Sequence, residues 1–303
     1  MNPHETKKLS FIGHKDCVYT LCEGPLSGTF FSAGADGMVV LWNIENPETG
    51  KPIAHVPSSV YALYFIKRKN QLLIASNLDG LHLIDLENNK EIWSFQSPKN
   101  QWFRMKENDD KIWVAGSKGM LLLFDTESQI VELKQLGTHD LRAMSIDFEN
   151  QKIYLGNSNQ EIFELNINSG LVNTISPAHK STIFGLQIYP FGSQMASAGR
   201  DAKLILWGKN DTGKWEVQKE VAAHLFGIHD VILHPTRPVL ATASTDKTIK
   251  IWDAETLKLL RVIDKARHAG HGFSINQLLW LKDSELLLSC SDDRTISAWD
   301  IFA

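Results

Sequence analysis

A histidine, a hydroxyl and a carboxylate recur together along this chain: His14, Ser32 and Asp36; His179, Ser197 and Asp201; His224, Thr242 and Asp246; His271, Ser289 and Asp293. These residue types make up a hydrolytic triad, in which the imidazole takes the hydroxyl proton and the carboxylate orients the imidazole. In all four sets a tryptophan (Trp42, Trp207, Trp252, Trp299) stands 28 residues after the histidine. The carboxylate stands 22 after it, with the hydroxyl four residues before the carboxylate. A hydrolase needs one such centre with an oxyanion hole beside it, so four copies at one spacing argue against catalysis. An indole can only donate a hydrogen bond, and a buried carboxylate or imidazole must be paired. The four sets are therefore expected to be structural, and no catalytic residue is assigned.

Three weaker copies fill the middle of the chain. Ala75–Leu86 keeps Asp79 but has no tryptophan. Ala115–Thr126 has Lys118 and Phe124 at the carboxylate and indole places, and Gly156–Asn166 has Asn159 and Leu165 there. The strand-end position then falls at 42, 84, 124, 165, 207, 252 and 299, a spacing of 40 to 47 residues. A period in the forties with Gly-His and Trp-Asp punctuation marks four-stranded propeller blades. "TIKIWD" and "TISAWD" read as strands, "HPTRP" and "EGPLSG" as turns, and no long helical period appears.

The segments "GH…SAGADGMVVLWN", "AH…SAGRDAKLILWG", "AH…TASTDKTIKIWD" and "GH…SCSDDRTISAWD" resemble the WD-repeat β-propeller family over essentially the whole chain. The resemblance implies an all-β fold of seven four-stranded antiparallel blades around a channel. It also implies that His, Ser/Thr, Asp and Trp bond to one another within a blade, pinning a loop to a strand. Residues 1–303 are expected to form a single propeller. Too little chain follows Trp299 for a fourth strand, so Lys7–Ile12 is expected to complete the last blade and close the ring, since an unpaired sheet edge invites aggregation.

Composition narrows the function classes. The formal charge of −4 argues against a general nucleic-acid binder, which usually carries a basic face. No apolar run suits a signal peptide or a membrane span. Cys17, Cys22 and Cys290 stand at unrelated spacings, fitting reduced thiols in the cytoplasm. No metal site or cofactor is expected.

With the quartets assigned to the scaffold, recognition is expected from loops. The resemblance puts two loop sets on one face, those after each Gly-His and those before each Asp. The residue after the first apolar position of each repeat gives Tyr19, Tyr61, Phe103, Met144, Phe184, His229 and Asn276, with Trp102 and Phe226 nearby. Aromatics and Met are enriched in interface cores. Arg200 and Arg142 are candidates to clamp a carboxylate, Asp292 lies in the second loop set, and an insertion at 264–272 carries Lys265, Arg267 and His268. The expectation is a non-enzymatic scaffold for a protein or peptide partner, acting as a monomer or as a subunit of a larger complex. Its rivals are a small-molecule- or metal-binding propeller enzyme and a subunit of an RNA- or chromatin-associated complex.

Overall fold

The computed structural model describes residues 7–302, the side chains of residues 7, 8 and 191 excepted. Twenty-eight strands form seven four-stranded sheets. Sheet 1 comprises Val18–Glu23, Thr29–Gly34, Met38–Asn43 and Lys51–His55; sheet 2 comprises Val60–Ile66, Gln71–Ser76, Gly80–Asp85 and Lys90–Gln96. Sheet 3 is Trp102–Asn108, Lys111–Gly116, Met120–Asp125 and Val131–Gln135; sheet 4 is Leu141–Asp147, Lys152–Asn157, Ile162–Asn166 and Val172–Ile175. Sheet 5 is Ile183–Ile188, Gln194–Gly199, Lys203–Lys209 and Trp215–Ala222; sheet 6 is Ile228–Leu233, Val239–Ser244, Ile249–Asp253 and Leu259–Ile263. Sheet 7 takes Ile275–Leu281, Leu286–Ser291 and Thr295–Asp300 from the end of the chain and Lys7–Ile12 from its beginning. Among the described residues the one α-helix is Lys265–His268.

The strand sequences follow from stacking. Second strands such as "TFFSAG" and "LLLSCS" are buried almost throughout. A strand covered on both faces reads as a continuous apolar and small-residue run rather than an alternating one. Fourth strands such as "VELKQ" and "VNTI" are largely exposed, as befits an outer edge.

The chain divides into two compact units. One takes in the chain up to Trp102, Ala243–Lys250 and Arg261 onward; the other is Phe103–Thr242 with Ile251–Leu260. In the first unit, one core joins sheets 7 and 1 through Phe11, Phe30, Trp42, Leu288 and Ile296, and another joins sheets 1 and 2 through Phe31, Val39, Leu72 and Ile74. In the second, cores join sheets 3 and 4, 4 and 5, and 5 and 6, the last around Ala196, Leu206, Leu240 and Trp252.

Lys7–Ile12 pairs antiparallel with Thr295–Asp300, Phe11 opposite Ile296 and Ile12 opposite Thr295. Phe11 is fully buried, edge-on to Phe30 at 4.9 Å and to Trp42 at 5.7 Å. The N-terminal strand thus completes the last sheet, as expected.

A recurrent backbone bond ties the two loop sets together at one end of the sheets. Ala35 N–H donates to Cys17 O, Asn77 to Ser59, Ser158 to Asp140, Arg200 to Thr182 and Asp292 to Ser274. Each acceptor immediately precedes a first strand. In sheet 1 the approach is so close that a Cβ on Gly34 would stand 1.9 Å from Cys17 O, whereas Ser76, Asn157 and Ser291 hold the same place in sheets 2, 4 and 7.

Candidate functional site

The repeated polar residues meet in space. In sheet 1, His14 Nδ1 lies 3.0 Å from Asp36 Oδ2, His14 Nε2 lies 2.7 Å from Ser32 Oγ, and Trp42 Nε1–H donates to the same Oγ at 2.8 Å. Sheet 5 repeats this through His179, Asp201, Ser197 and Trp207 at 3.0, 2.8 and 2.8 Å. Sheet 7 does so through His271, Asp293, Ser289 and Trp299 at 2.9, 2.8 and 2.8 Å. In sheet 6 Thr242 Oγ1 lies 2.8 Å from His224 Nε2 and accepts from Trp252 Nε1–H at 2.9 Å, while Asp246 Oδ1 accepts the Thr248 N–H and O–H.

The partner inventory dictates the protonation pattern. The carboxylate only accepts, so it takes the Nδ1–H, leaving Nε2 to accept the hydroxyl proton while the hydroxyl oxygen accepts the indole N–H. That order of Asp, His and Ser is the triad order. However, Ser32, Ser197, Thr242 and Ser289 are all 0% exposed, and each hydroxyl oxygen already accepts an indole N–H. A nucleophile with no path to a carbonyl cannot attack one.

The carboxylates also organise backbone. Asp36 accepts the N–H groups of Lys15 and Met38, Asp201 those of Lys180 and Lys203, and Asp293 those of Gly272 and Thr295. Burial pushes the Asp293 carboxyl up, but the hydrogen bonds from the His271 ring, the Thr295 hydroxyl and the Gly272 N–H outweigh it and hold it well below the usual carboxylate range. In Asp201, burial is likewise outweighed, by His179 and the backbone donors, so its pKa is lowered too. A pKa lower in the folded than in the unfolded chain means that the unfolded chain binds the extra protons on acidification. The contribution of these groups is present at neutral pH and is lost as pH falls below about 5 and through the lowered values. Urea titrations at pH 7, 5, 4 and 3 are expected to show stability falling, with Asp293→Asn less stable at pH 7 and following a shallower slope. A parallel wild-type and Asn profile would contradict this role for Asp293.

The middle sheets replace the quartet with other polar pairings. In sheet 2, Asp79 pairs with His82 Nε2 at 2.8 Å, and His82 Nδ1 lies 3.0 Å from Glu91; His55 is exposed. Between sheets 3 and 4, Asp140, in the loop leading into sheet 4, accepts the N–H of Lys118 from the turn of sheet 3. Sheet 4 carries a network that sequence reasoning missed. Buried Glu164 accepts from Lys152 Nζ at 2.8 Å, from Tyr154 OH at 3.0 Å and from Trp215 Nε1 of sheet 5 at 3.0 Å.

The recognition candidates fall on a common feature. In sheets 1, 2, 4, 5 and 7 the first strand shifts register at its second residue, between Val18 and Thr20, Val60 and Ala62, Leu141 and Ala143, Ile183 and Gly185, and Ile275 and Gln277. Such a bulge re-aims the side chain of the extra residue. The bulged residues are Tyr19, Tyr61, Arg142, Phe184 and Asn276, all half-buried. Arg142 therefore holds the sheet 4 position where Met144 was expected; Met144 lies two residues further on and is buried.

Two arcs result, one in each unit. In the first, Tyr19 stacks on Tyr61 with centroids 5.0 Å apart, and Asn276 Nδ2 donates to Val18 O and to Asp292 Oδ1, each at 2.8 Å. Asn276 and Asp292 are thus bonded to each other. Burial, with Asp292 and Asp16 nearby, pushes the Cys17 thiol up to about 11, and burial raises Tyr19 as well. In the second arc the Arg142 guanidinium lies 3.8 Å from the Phe103 centroid and 5.5 Å from that of Phe184, and Phe184 meets His229 at 5.4 Å.

Three expectations need correcting. Trp102 is 0% and Phe103 4% exposed, because Trp102 takes the apolar first position of its strand and Arg142 covers Phe103; neither presents a surface to a partner. Arg142 is stacked between rings rather than extended alongside Arg200. In the insertion, Arg267 binds Asp264 through Nε and Nη2, and His268 is buried, so its basic groups do not share one open face. Arg104 was not anticipated. It reaches past sheet 4, donating from Nη2 to His229 O at 3.1 Å and to Phe184 O at 3.4 Å.

Among the described residues, no group of three or more His, Cys, Asp or Glu is placed to hold a metal ion, and no helix is long and apolar enough to cross a membrane.

Seven four-stranded antiparallel sheets, four of them carrying buried His, hydroxyl and Trp side chains bonded to one another, define a seven-bladed β-propeller. The solved WD40 beta propeller domain of Doa1 matches this fold with a TM-score of 0.85, over 98% of this chain and 96% of that one, at 15% identity. The WD domain, G-beta repeat family matches residues 5–43, 170–208, 215–253 and 262–300, which is just over half of the chain, and the protein belongs to that family. It is similar to the Striatin homolog of Dictyostelium discoideum, 25% identical over 251 residues, which are 79% of this chain and 26% of the relative. It is also similar to the Probable cytosolic iron-sulfur protein assembly protein 1 of Kluyveromyces lactis, 29% identical over 135 residues, 41% of this chain and 40% of the relative. The chain thus spans a quarter to two fifths of these relatives.

Proposed function

We propose that this chain is a non-catalytic scaffold whose residues 1–303 make one propeller, binding a partner protein or peptide through the end of the sheets that carries the bulged residues. The observation that carries this reading is the placement of Tyr19, Tyr61, Arg142, Phe184 and His229, half-buried large side chains at one end of their sheets, beside loops held by the recurrent backbone bond. Aromatic and arginine side chains on a rigid frame lose little freedom on binding, which suits them to anchor a partner. The quartets serve the frame. Three thiols without disulfides and a relative named as cytosolic support a cytoplasmic location.

The test is affinity capture from an extract of the cells that make the protein, using wild type and the double variant Phe184→Ala with Arg200→Glu. The double variant is expected to lose the specifically captured proteins while melting at nearly the wild-type temperature. Equal capture of the same proteins by both would rule out this face.

A further inference from the structure

The second unit places three arginines and exposed apolar side chains at its loop end. Arg104, Arg142 and Arg200 rise from sheets 3, 4 and 5. The Arg104 contacts are to the main-chain carbonyls of Phe103, Phe184 and His229, so none of them neutralises its charge. Stacking against Phe103 and Phe184 holds the Arg142 guanidinium plane; a stacked guanidinium keeps its in-plane donors directed sideways. Arg200 is exposed. Four carboxylates at this end accept hydrogen bonds, Asp140 from the Lys118 N–H, Glu161 from Asn157, Asp201 from His179 and Asp230 from the Val231 N–H, which orient them without removing their charge.

Beside the arginines lies an apolar pair. The loop entering sheet 6 carries Leu225, 83% exposed, and Phe226, 61% exposed, where the corresponding loops of sheets 1 and 5 have Lys15-Asp16 and Lys180-Ser181. This loop abuts Arg200, since a Cβ on Gly227 would stand 3.2 Å from Arg200 Cα. Large apolar side chains this open, flanked by charge, mark an interaction site.

We propose that Arg104, Arg142, Arg200 and the Leu225–Phe226 pair dock an acidic segment of a partner protein, an Asp or Glu side chain over the arginines and an apolar neighbour on Leu225–Phe226. The proposal rests on the reading that this face binds protein, and it specifies the chemistry of what is bound. A carboxylate matches the guanidinium fork bidentately, and a basic side chain placed over the same guanidinium groups would meet like charge.

A random heptapeptide phage library panned on the full chain tests this. Selected peptides are expected to be enriched about threefold or more in Asp and Glu, with an adjacent Leu, Phe or Trp. The best peptide, made synthetically, is expected to bind about tenfold more weakly to Arg200→Glu and to Arg104→Gln, and to lose affinity when its acid is replaced by the amide or when salt is raised. Arg200→Glu alters an exposed side chain, so its result stands even if Arg104→Gln is unstable. Peptides without acidic enrichment that are nonetheless lost on Phe184→Ala would overturn the acidic specificity and leave the protein-binding face intact. Selected peptides indifferent to Phe184→Ala and to both arginine changes would remove the face as well. Retention of polyuridylate at 150 mM salt that is lost in Arg200→Glu would overturn the proposal by assigning the arginines to phosphate.

Discussion

Removal of residues 1–12 is expected to lower the melting temperature by more than about 10 °C. The deletion takes away the outer strand of sheet 7, leaving Thr295–Asp300 as an open edge, and it takes Phe11 from a core shared with Phe30, Trp42 and Ile296. Truncating a fully buried phenylalanine alone costs about 3–5 kcal/mol. At roughly 2–4 °C per kcal/mol, Phe11→Ala is expected to account for on the order of 6–20 °C, the deletion for more. The exposed edge should also promote association. Circular dichroism melts and light scattering of both variants check this. An unchanged melting temperature for the deletion would mean that the strand contributes nothing to holding sheets 7 and 1 together.

The second large effect is expected from Ser289→Ala. The hydroxyl lies between two partners, Trp299 Nε1–H, which donates to its oxygen, and His271 Nε2. Its removal orphans a donor and an acceptor in a fully buried place, at about 1–3 kcal/mol each. Urea unfolding is expected to show a loss of about 2–6 kcal/mol, and Ser289→Thr, which keeps the hydroxyl as Thr242 does in sheet 6, should recover much of it. Binding of a captured partner, measured per folded molecule, is expected to be unchanged. A catalytic serine would give the opposite pattern, with stability retained or raised and activity abolished. Wild-type stability in the alanine variant would therefore refute the fastening role.

How far the sequence reaches depends on whether an interaction is repeated. Strand count, the seven-fold period and the contribution of Lys7–Ile12 were legible because each repeat obeys the same constraints. A buried indole N–H, imidazole and carboxylate can satisfy one another only from fixed positions on neighbouring strands, and that forces the same residues at the same spacing. Sheets 2, 3 and 4 were legible only as strands. Their polar pairings, Asp79 with His82 and Asp140 with the Lys118 N–H, solve the same problem with different residues once each, so no period betrays them.

Tertiary structure alone decided the site. Arg104 meets Phe184 and His229 across 80 and 125 residues of chain, and Glu164 receives Trp215 from 51 residues away. The burial of Phe103 depends on Arg142 arriving from the next sheet. By itself the sequence determined which strands form and which polar groups recur, since local pattern and hydrogen-bond satisfaction act within one repeat. Which side chains face outward together was decided by register shifts and by contacts between sheets, whose energies depend on residues far apart in the chain.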